Sequence, residues 1–221
     1  MGGNKILVLG DSGSGKSTAT RNLDSKSTFY INVIGKPLPF KGWKTKYVSG
    51  KNLICTDNWE EIIKAIKGIS DKMPDIKTII VDDAQYIMSY EFMKRAKERG
   101  FDKFTEIAMH MFEVLKAPDA TRDDLTTIFL SHSEDVSANG YAKTKMKTIG
   151  KMLDDKITIE GLFTVVLLAY PIKEDKKMKY VFVTQSNGTT TAKSPMDMFD
   201  DIAIENDLAV VIKKIKEYEE G

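Results

Sequence analysis

Eight residues near the start of the chain, Gly10-Asp11-Ser12-Gly13-Ser14-Gly15-Lys16-Ser17, satisfy the spacing G-x-x-x-x-G-K-[ST]. Glycines at these places let backbone N–H groups turn inward around a polyphosphate, and a helix that follows adds the positive end of its dipole. In such a loop Lys16 reaches the β- and γ-phosphates and the Ser17 hydroxyl ligates Mg²⁺. Asp11, Ser12, Gly13, Ser14, Gly15 and Thr18 complete the expected cradle. A chance glycine-rich turn is the alternative, and the flanks speak against it. Lys5-Ile6-Leu7-Val8-Leu9 reads as a buried strand, and residues 18–23 can continue as a helix. The stretch predicts a nucleoside triphosphate site.

Such a site also needs a carboxylate on the metal side and a base that orients the attacking water. Ile76-Lys77-Thr78-Ile79-Ile80-Val81 leads into Asp82-Asp83, as a buried parallel strand ending at an active-site edge would. Asp82 is expected to hold Mg²⁺ through a bound water. Asp83 is the candidate base, with capping of the next turn as its alternative role. His132, with Ser131 and Glu134, follows the apolar run 126–130. If that strand neighbours the Asp82 strand, His132 reaches the γ-phosphate edge and reports nucleotide state to the loop beyond. A loop residue without that role is the other reading.

Two segments combine lysines with aromatics. Residues 135–150 are polar, contain glycine and lack apolar periodicity, which predicts a long mobile loop. Lys143, Lys145, Lys147 and Lys151 lie around Tyr141 with no acid between Lys143 and Lys151. The lysines suit a nucleic-acid backbone and Tyr141 suits stacking on a base, against the alternative of a solvated surface loop. Residues 35–51 hold Lys36, Lys41, Lys44, Lys46 and Lys51, the aromatics Phe40, Trp43 and Tyr47, and no acid. Prolines and glycines argue for a loop or irregular hairpin there, either contacting nucleic acid or another subunit, or covering the core.

The remaining elements must position these groups. Residues 28–34, 52–56, 162–172 and 179–184 read as strands, the last two joined by a lysine-rich turn at 173–177. Helices are expected from an Asp57 cap to Ile69, from Tyr90 to about Lys116 with a break near Gly100, and over 202–218. This alternation predicts an α/β fold, a mostly parallel sheet flanked by helices with a C-terminal antiparallel hairpin, in one domain over residues 1–221. Charged residues are 29% and apolar ones 42% of the chain, ordinary for a soluble globular protein. The net charge of +1 excludes a global basic field, so any nucleic-acid site must be local. The single Cys55 excludes an internal disulfide, fits a reducing cytoplasm and, beside Leu53 and Ile54, is expected to be buried. The longest apolar stretch, 162–170, is too short to span a bilayer, and no N-terminal signal pattern is present. A cytoplasmic protein without a membrane partner is the expectation.

Taken together, residues 10–17, 78–83 and 126–150 resemble the minimal RecA-like ATPases of bacterial viruses, the small P-loop proteins of the Sak type linked to single-strand annealing. Towards the end of the chain the resemblance rests on Thr148-Ile149-Gly150-Lys151-Met152-Leu153 and on Gln185-Ser186-Asn187-Gly188 followed by Ala192-Lys193-Ser194-Pro195. It implies a RecA-type core and ATP-linked binding of single-stranded DNA in the host cytoplasm. It also implies cooperation with a single-strand-binding protein and head-to-tail homo-oligomers, as rings or filaments.

The chain departs from that group in two places. The group places a catalytic glutamate just after the strand that follows the phosphate-loop helix. Here that place reads Ile31-Asn32-Val33-Ile34-Gly35-Lys36, leaving Asp83, Glu60 or Glu61 as base, or slow hydrolysis. The group also completes the site with a cation from the adjacent subunit. All four arginines (Arg21, Arg95, Arg99, Arg122) precede residue 123, so Lys193, in the matching place, is the candidate, against a plain surface lysine. A nucleotide or small-molecule kinase shares the phosphate loop, but the second half of this chain lacks the arginines of a kinase lid. No Asn-Lys-x-Asp string marks a guanine-specific switch. A nucleotide-dependent assembly module with little turnover is the non-enzyme alternative.

Overall fold

The computed structural model describes residues 2–138, 141–150 and 156–221. Among these, nine strands form one sheet: β1 (Asn4–Gly10), β2 (Thr28–Asn32), β3 (Leu53–Cys55), β4 (Thr78–Asp82), β5 (Thr126–Ala138), β6 (Tyr141–Met146), β7 (Val165–Glu174), β8 (Lys177–Val183) and β9 (Ala203–Glu205). Their order is β3-β2-β4-β5-β1-β7-β8-β9, with β6 pairing only β5. The strands from β3 to β7 along that path pair in parallel, and β8 and β9 close the edge antiparallel. Strand β5 lies between β1, which leads into the glycine loop, and β4, which ends in Asp82. Both apolar runs therefore end on the same edge of the sheet, one strand apart. This is an α/β P-loop arrangement, a mostly parallel sheet with an antiparallel C-terminal edge.

The central strands are buried on both faces, which is why they read as unbroken apolar runs. Leu7 and Leu9 of β1 face one core, and Ile6 and Val8 face the other. The first core is covered by α2 (Trp59–Lys72), α3 (Gln85–Lys94) and α4 (Asp102–Lys116), which follow the one-turn helix α1 (Trp43–Lys46) in the chain. In α2 the inward residues Ile62, Ile66 and Ile69 recur at helical spacing. The second core takes Leu208, Val211 and Ile215 of α5 (Leu208–Glu220) together with Leu38 and Tyr47.

Several expectations are corrected. The Cys55 thiol is exposed, because it ends the edge strand β3. The cap of α2 is Asn58, not Asp57; its side chain accepts from the backbone N–H groups of Glu60 and Glu61. The helix after the glycine loop is a single 3₁₀ turn, Ser17–Thr20. Thr20 bonds back to the Ser17 carbonyl (2.8 Å), and Asn22 is drawn to Asp207 (2.5 Å), so these polar side chains compete with helix continuation. Residues 203–205 form β9, and α5 starts only after its cap, Asp207.

The largest correction concerns residues 135–150. They are not a long loop throughout: β5 runs on to Ala138 and pairs antiparallel with β6. The backbone of Thr144 is also tied to residues 189–191, through Thr144 N–H to the Thr189 carbonyl (2.8 Å) and Thr191 N–H to the Thr144 carbonyl (3.1 Å). Two-sided backbone pairing holds a strand that has no apolar alternation to announce it. The dipeptide Asn139-Gly140, between the paired Ala138 and Tyr141, is the sequence signal for this hairpin.

Candidate nucleotide site

The glycine loop closes over the end of β1. Gly13 and Gly15 have φ of +80° and +95°, open to glycine at little cost. At Gly15 a Cβ would also stand 3.0 Å from the Tyr180 ring, which would have to give way by a few tenths of an ångström. Lys16 is buried inside the loop, where its ammonium donates to the carbonyls of Gly10 (2.6 Å) and Asp11 (2.7 Å). Burial lowers its pKa to about 8, against the opposing pull of Asp83, Asp82 and Asp11.

Across the loop stands Asp82, fully buried at the end of β4. The Ser17 hydroxyl donates to its Oδ1 (2.8 Å) and the Tyr30 hydroxyl to its Oδ2 (2.7 Å). Burial, with the neighbouring charge of Asp83, pushes the Asp82 carboxyl up. Burial and the Asp82 charge raise the Tyr30 phenol well above its usual range, so it stays a donor. The Ser17 hydroxyl and the Asp82 carboxylate fit Mg²⁺, which takes a few protein oxygens and completes its shell with water and phosphate. Among the described residues no cluster of three or more His, Cys, Asp or Glu could hold a metal unaided.

Asp83 turns the chain out of the sheet at φ +61°. Lys36 Nζ lies 2.5 Å from its Oδ2 as an ionic contact, and His132 Nε2 lies 3.5 Å from its Oδ1. Burial raises the Asp83 carboxyl, but His132 and Lys36 outweigh it and hold the group below the usual carboxylate range. His132 is placed because it pairs with Gly10 across the β1–β5 ladder, and the Tyr86 ring meets it edge-on at 5.8 Å. The loop from Ser12 to Thr18 forms one wall of a cleft of about 360 Å³; Lys36, Asp83, His132 and Tyr180 form the other. A cleft lined by Lys16, Lys36 and the loop backbone, with Asp83 among its lining and Asp82 behind Ser17, is built for a polyphosphate.

Residues 2–196 match a family described as AAA domain. The chain belongs to that AAA domain family. It is thus a P-loop ATPase domain, in keeping with the glycine loop and the cleft it closes. No curated protein matches the chain in sequence. Among solved structures, a KaiC-like protein from the hyperthermophilic archaeon Pyrococcus horikoshii OT3 is similar to this chain at 12% identity. The match covers 85% of this chain and 81% of that one, with a TM-score of 0.45.

In this AAA domain the other sequence-derived candidates fall outside the cleft. Lys143 and Lys145 lie two apart on β6, opposite Val136 and Glu134, so strand periodicity puts them on one face and the buried Met146 on the other. Lys145 pairs with Glu134 at 3.7 Å. The Lys147 backbone N–H donates to the His132 carbonyl (2.9 Å), and its side chain is exposed. Tyr141 begins β6. Lys151, with Met152 and Leu153 of the same string, lies outside the described residues. Lys193 is bridged through its backbone to Val166, near the start of β7, and does not line the cleft. Glu61 is bonded to Thr56 (2.5 Å) and Glu60 lies 3.4 Å from Lys64 on α2, away from the loop.

Three residues in or behind the cleft carry no local sequence signal for their place. Tyr30 reads only as a strand aromatic, because its partner is 52 residues away. Tyr180 sits on the C-terminal hairpin, and no motif marks it. Lys36 was seen only as one of several lysines in an acid-free segment.

No described helix is long and apolar enough to cross a membrane.

Proposed function

We propose that this AAA domain hydrolyses ATP with Mg²⁺ to control its hold on single-stranded DNA, serving recombination or annealing in a bacterial virus. In this reading Lys16 and the backbone of residues 11–18 grip the β- and γ-phosphates. Ser17 and Asp82 hold Mg²⁺, which neutralises charge on the phosphate oxygens. Asp83 orients the attacking water and His132 senses the γ-phosphate. A second cleft of about 620 Å³ adjoins the first through Thr18 and Tyr180 and offers room for the base beside Arg21 and Asn206. Lys193, outside the cleft, would act across a subunit boundary in a homo-oligomeric ring or filament. A single-strand-binding protein is the expected partner, and the host cytoplasm the expected place.

One observation carries the coupling. At the foot of the β5–β6 hairpin the Ser133 hydroxyl donates to Asp11 Oδ1 of the glycine loop (3.0 Å), while the adjacent His132 contacts Asp83. The strand that feels the phosphates thus continues into the segment bearing Tyr141, Lys143, Lys145 and Lys147. Nucleotide state and hairpin position share two adjacent residues.

The test is the ATPase rate of the purified protein with and without single-stranded DNA, with assembly followed by light scattering. Stimulation by DNA and loss of turnover in Lys16→Ala are expected. Turnover unchanged in Lys16→Ala would remove the site. ATP binding without turnover would leave a nucleotide-dependent assembly module.

A further inference from the structure

Lys36 reaches the cleft through a built turn. Asn32 ends β2 in register with Asp82. Its Nδ2 donates to the Lys36 carbonyl (2.6 Å), and its Oδ1 accepts from the Gly35 N–H (2.9 Å). Gly35, at φ +69°, permits the reversal. Lys36 therefore leaves the end of its strand and comes back, with its ammonium 2.5 Å from Asp83.

The two partners differ in freedom. The Asp83 side chain is 1% exposed on a fixed backbone turn, whereas that of Lys36 is 39% exposed. The lysine is the member that can move. Lys16 approaches from the glycine loop and Lys36 from the opposite wall, and Asp83 stands where the second cation is held. The Lys36 end of the pair is partly open to solvent, so the ammonium has a path away from the carboxylate. A charge-assisted bond from an ammonium to phosphate oxygen is stronger than one between neutral groups.

We propose that Lys36 recognises the terminal phosphate and makes the site select a nucleoside triphosphate over a diphosphate. On binding, its ammonium passes from the Asp83 carboxylate to the γ-phosphate, and Asp83 is released to accept from the attacking water. Lys36 thereby links occupancy of the γ-position to arming of the base. This rests on the nucleotide site proposed above. The competing role for the pair is purely structural, holding the segment 35–51 against β4.

Calorimetric titration with ATP, a non-hydrolysable ATP analogue and ADP separates the two. Lys36→Ala should weaken both triphosphates by roughly 10- to 100-fold, the value of a hydrogen bond to a charged group, and leave ADP within about twofold. Lys36→Arg should keep the selectivity. Asp83→Asn should tighten triphosphate binding in the presence of Lys36 and lose that gain in the double variant with Lys36→Ala. Equal weakening of ATP and ADP, or no weakening of either, would overturn the proposal, as would an Asp83→Asn gain that survives without Lys36. Thermal melting of each variant reports a fold defect separately. Wild-type protein that binds neither nucleotide would sink the nucleotide site itself. Wild-type protein that binds both equally tightly would sink only the role of Lys36.

Discussion

Residues 35–51 and the β5–β6 hairpin both set lysines near aromatics, three rings in the first and Tyr141 in the second, and they have opposite fates. In the first, the aromatic side goes inward. Tyr47 is 2% exposed, packs edge-on against Tyr30 at 5.2 Å and takes Phe40 against its other side at 6.3 Å. Its lysines are put to local use: Lys46 donates to the Arg21 carbonyl (2.9 Å) and Lys36 pairs with Asp83. In the second, backbone pairing on two sides leaves Lys143 exposed and Lys145 half-covered beside Glu134, on the strand face opposite Met146. Composition alone does not separate these outcomes. Backbone hydrogen bonding does, because residues 35–51 make turns that expose aromatic faces to the sheet, while β6 makes a ladder that fixes a two-residue alternation.

The sharpest way to break this contrast is to remove an anchor from the inward segment. Tyr47→Ala deletes a buried ring and should cost about 3–5 kcal/mol, since neighbouring rings on a fixed sheet cannot collapse into the space. For a domain of this size that lowers the melting temperature by roughly 10 °C. A shift of only a degree or two, followed by circular dichroism, would show that residues 35–51 lie loosely on the surface after all.

That segment also shows where the sequence was legible and where it was not. Residues 10–17 and 78–82 could be read directly, because a phosphate loop needs glycines at fixed places and a doubly buried strand needs an apolar run. Both signals are local. The Tyr30–Asp82 bond and the Lys36–Asp83 pair depend on contacts about 50 residues apart, and nothing near Tyr30 or Lys36 announces them. Residues 135–138 and 141–146 were hidden for another reason. Their pairing is paid in backbone hydrogen bonds, so their side chains were free to be polar. Cys55 was misread because Leu53 and Ile54 suggested a buried strand, while the strand's place at the sheet edge is a property of topology.

Lys16 shares the cleft with Lys36 and His132, its burial sets its chemistry, and pH tests it. Its folded value of about 8 lies below the ordinary 10.5, so the unfolded chain holds this proton more tightly. Stability of the unliganded protein should therefore rise as pH increases from about 8 to about 10.5, by on the order of 3 kcal/mol at most. Triphosphate affinity should move the other way. Binding needs the ammonium, so affinity falls up to about tenfold per unit above pH 8. Melting curves and calorimetry from pH 7 to pH 9.5 would show the two trends crossing. Affinity that stays level through pH 9.5 would place Lys16 in a more polar setting than the loop provides.

The smallest effect on the fold is expected from the hairpin, and there the change should appear in binding. Lys143 and Lys147 are exposed, and Lys145 pairs with Glu134 on the same ladder. Replacing all three with glutamine leaves Met146 and the backbone ladder in place and breaks the Lys145–Glu134 pair, so stability should change by no more than about 1 kcal/mol. Binding of a single-stranded oligonucleotide should change far more. Each phosphate contact contributes roughly 0.7 to the slope of log affinity against log salt, so three lost contacts should flatten it by about 2. Affinity lost at every salt concentration with an unchanged slope would mean that the lysines act through the shape of the hairpin. A slope and an affinity both unaltered would move the DNA site elsewhere, and the link from Ser133 to Asp11 would then report to some other surface.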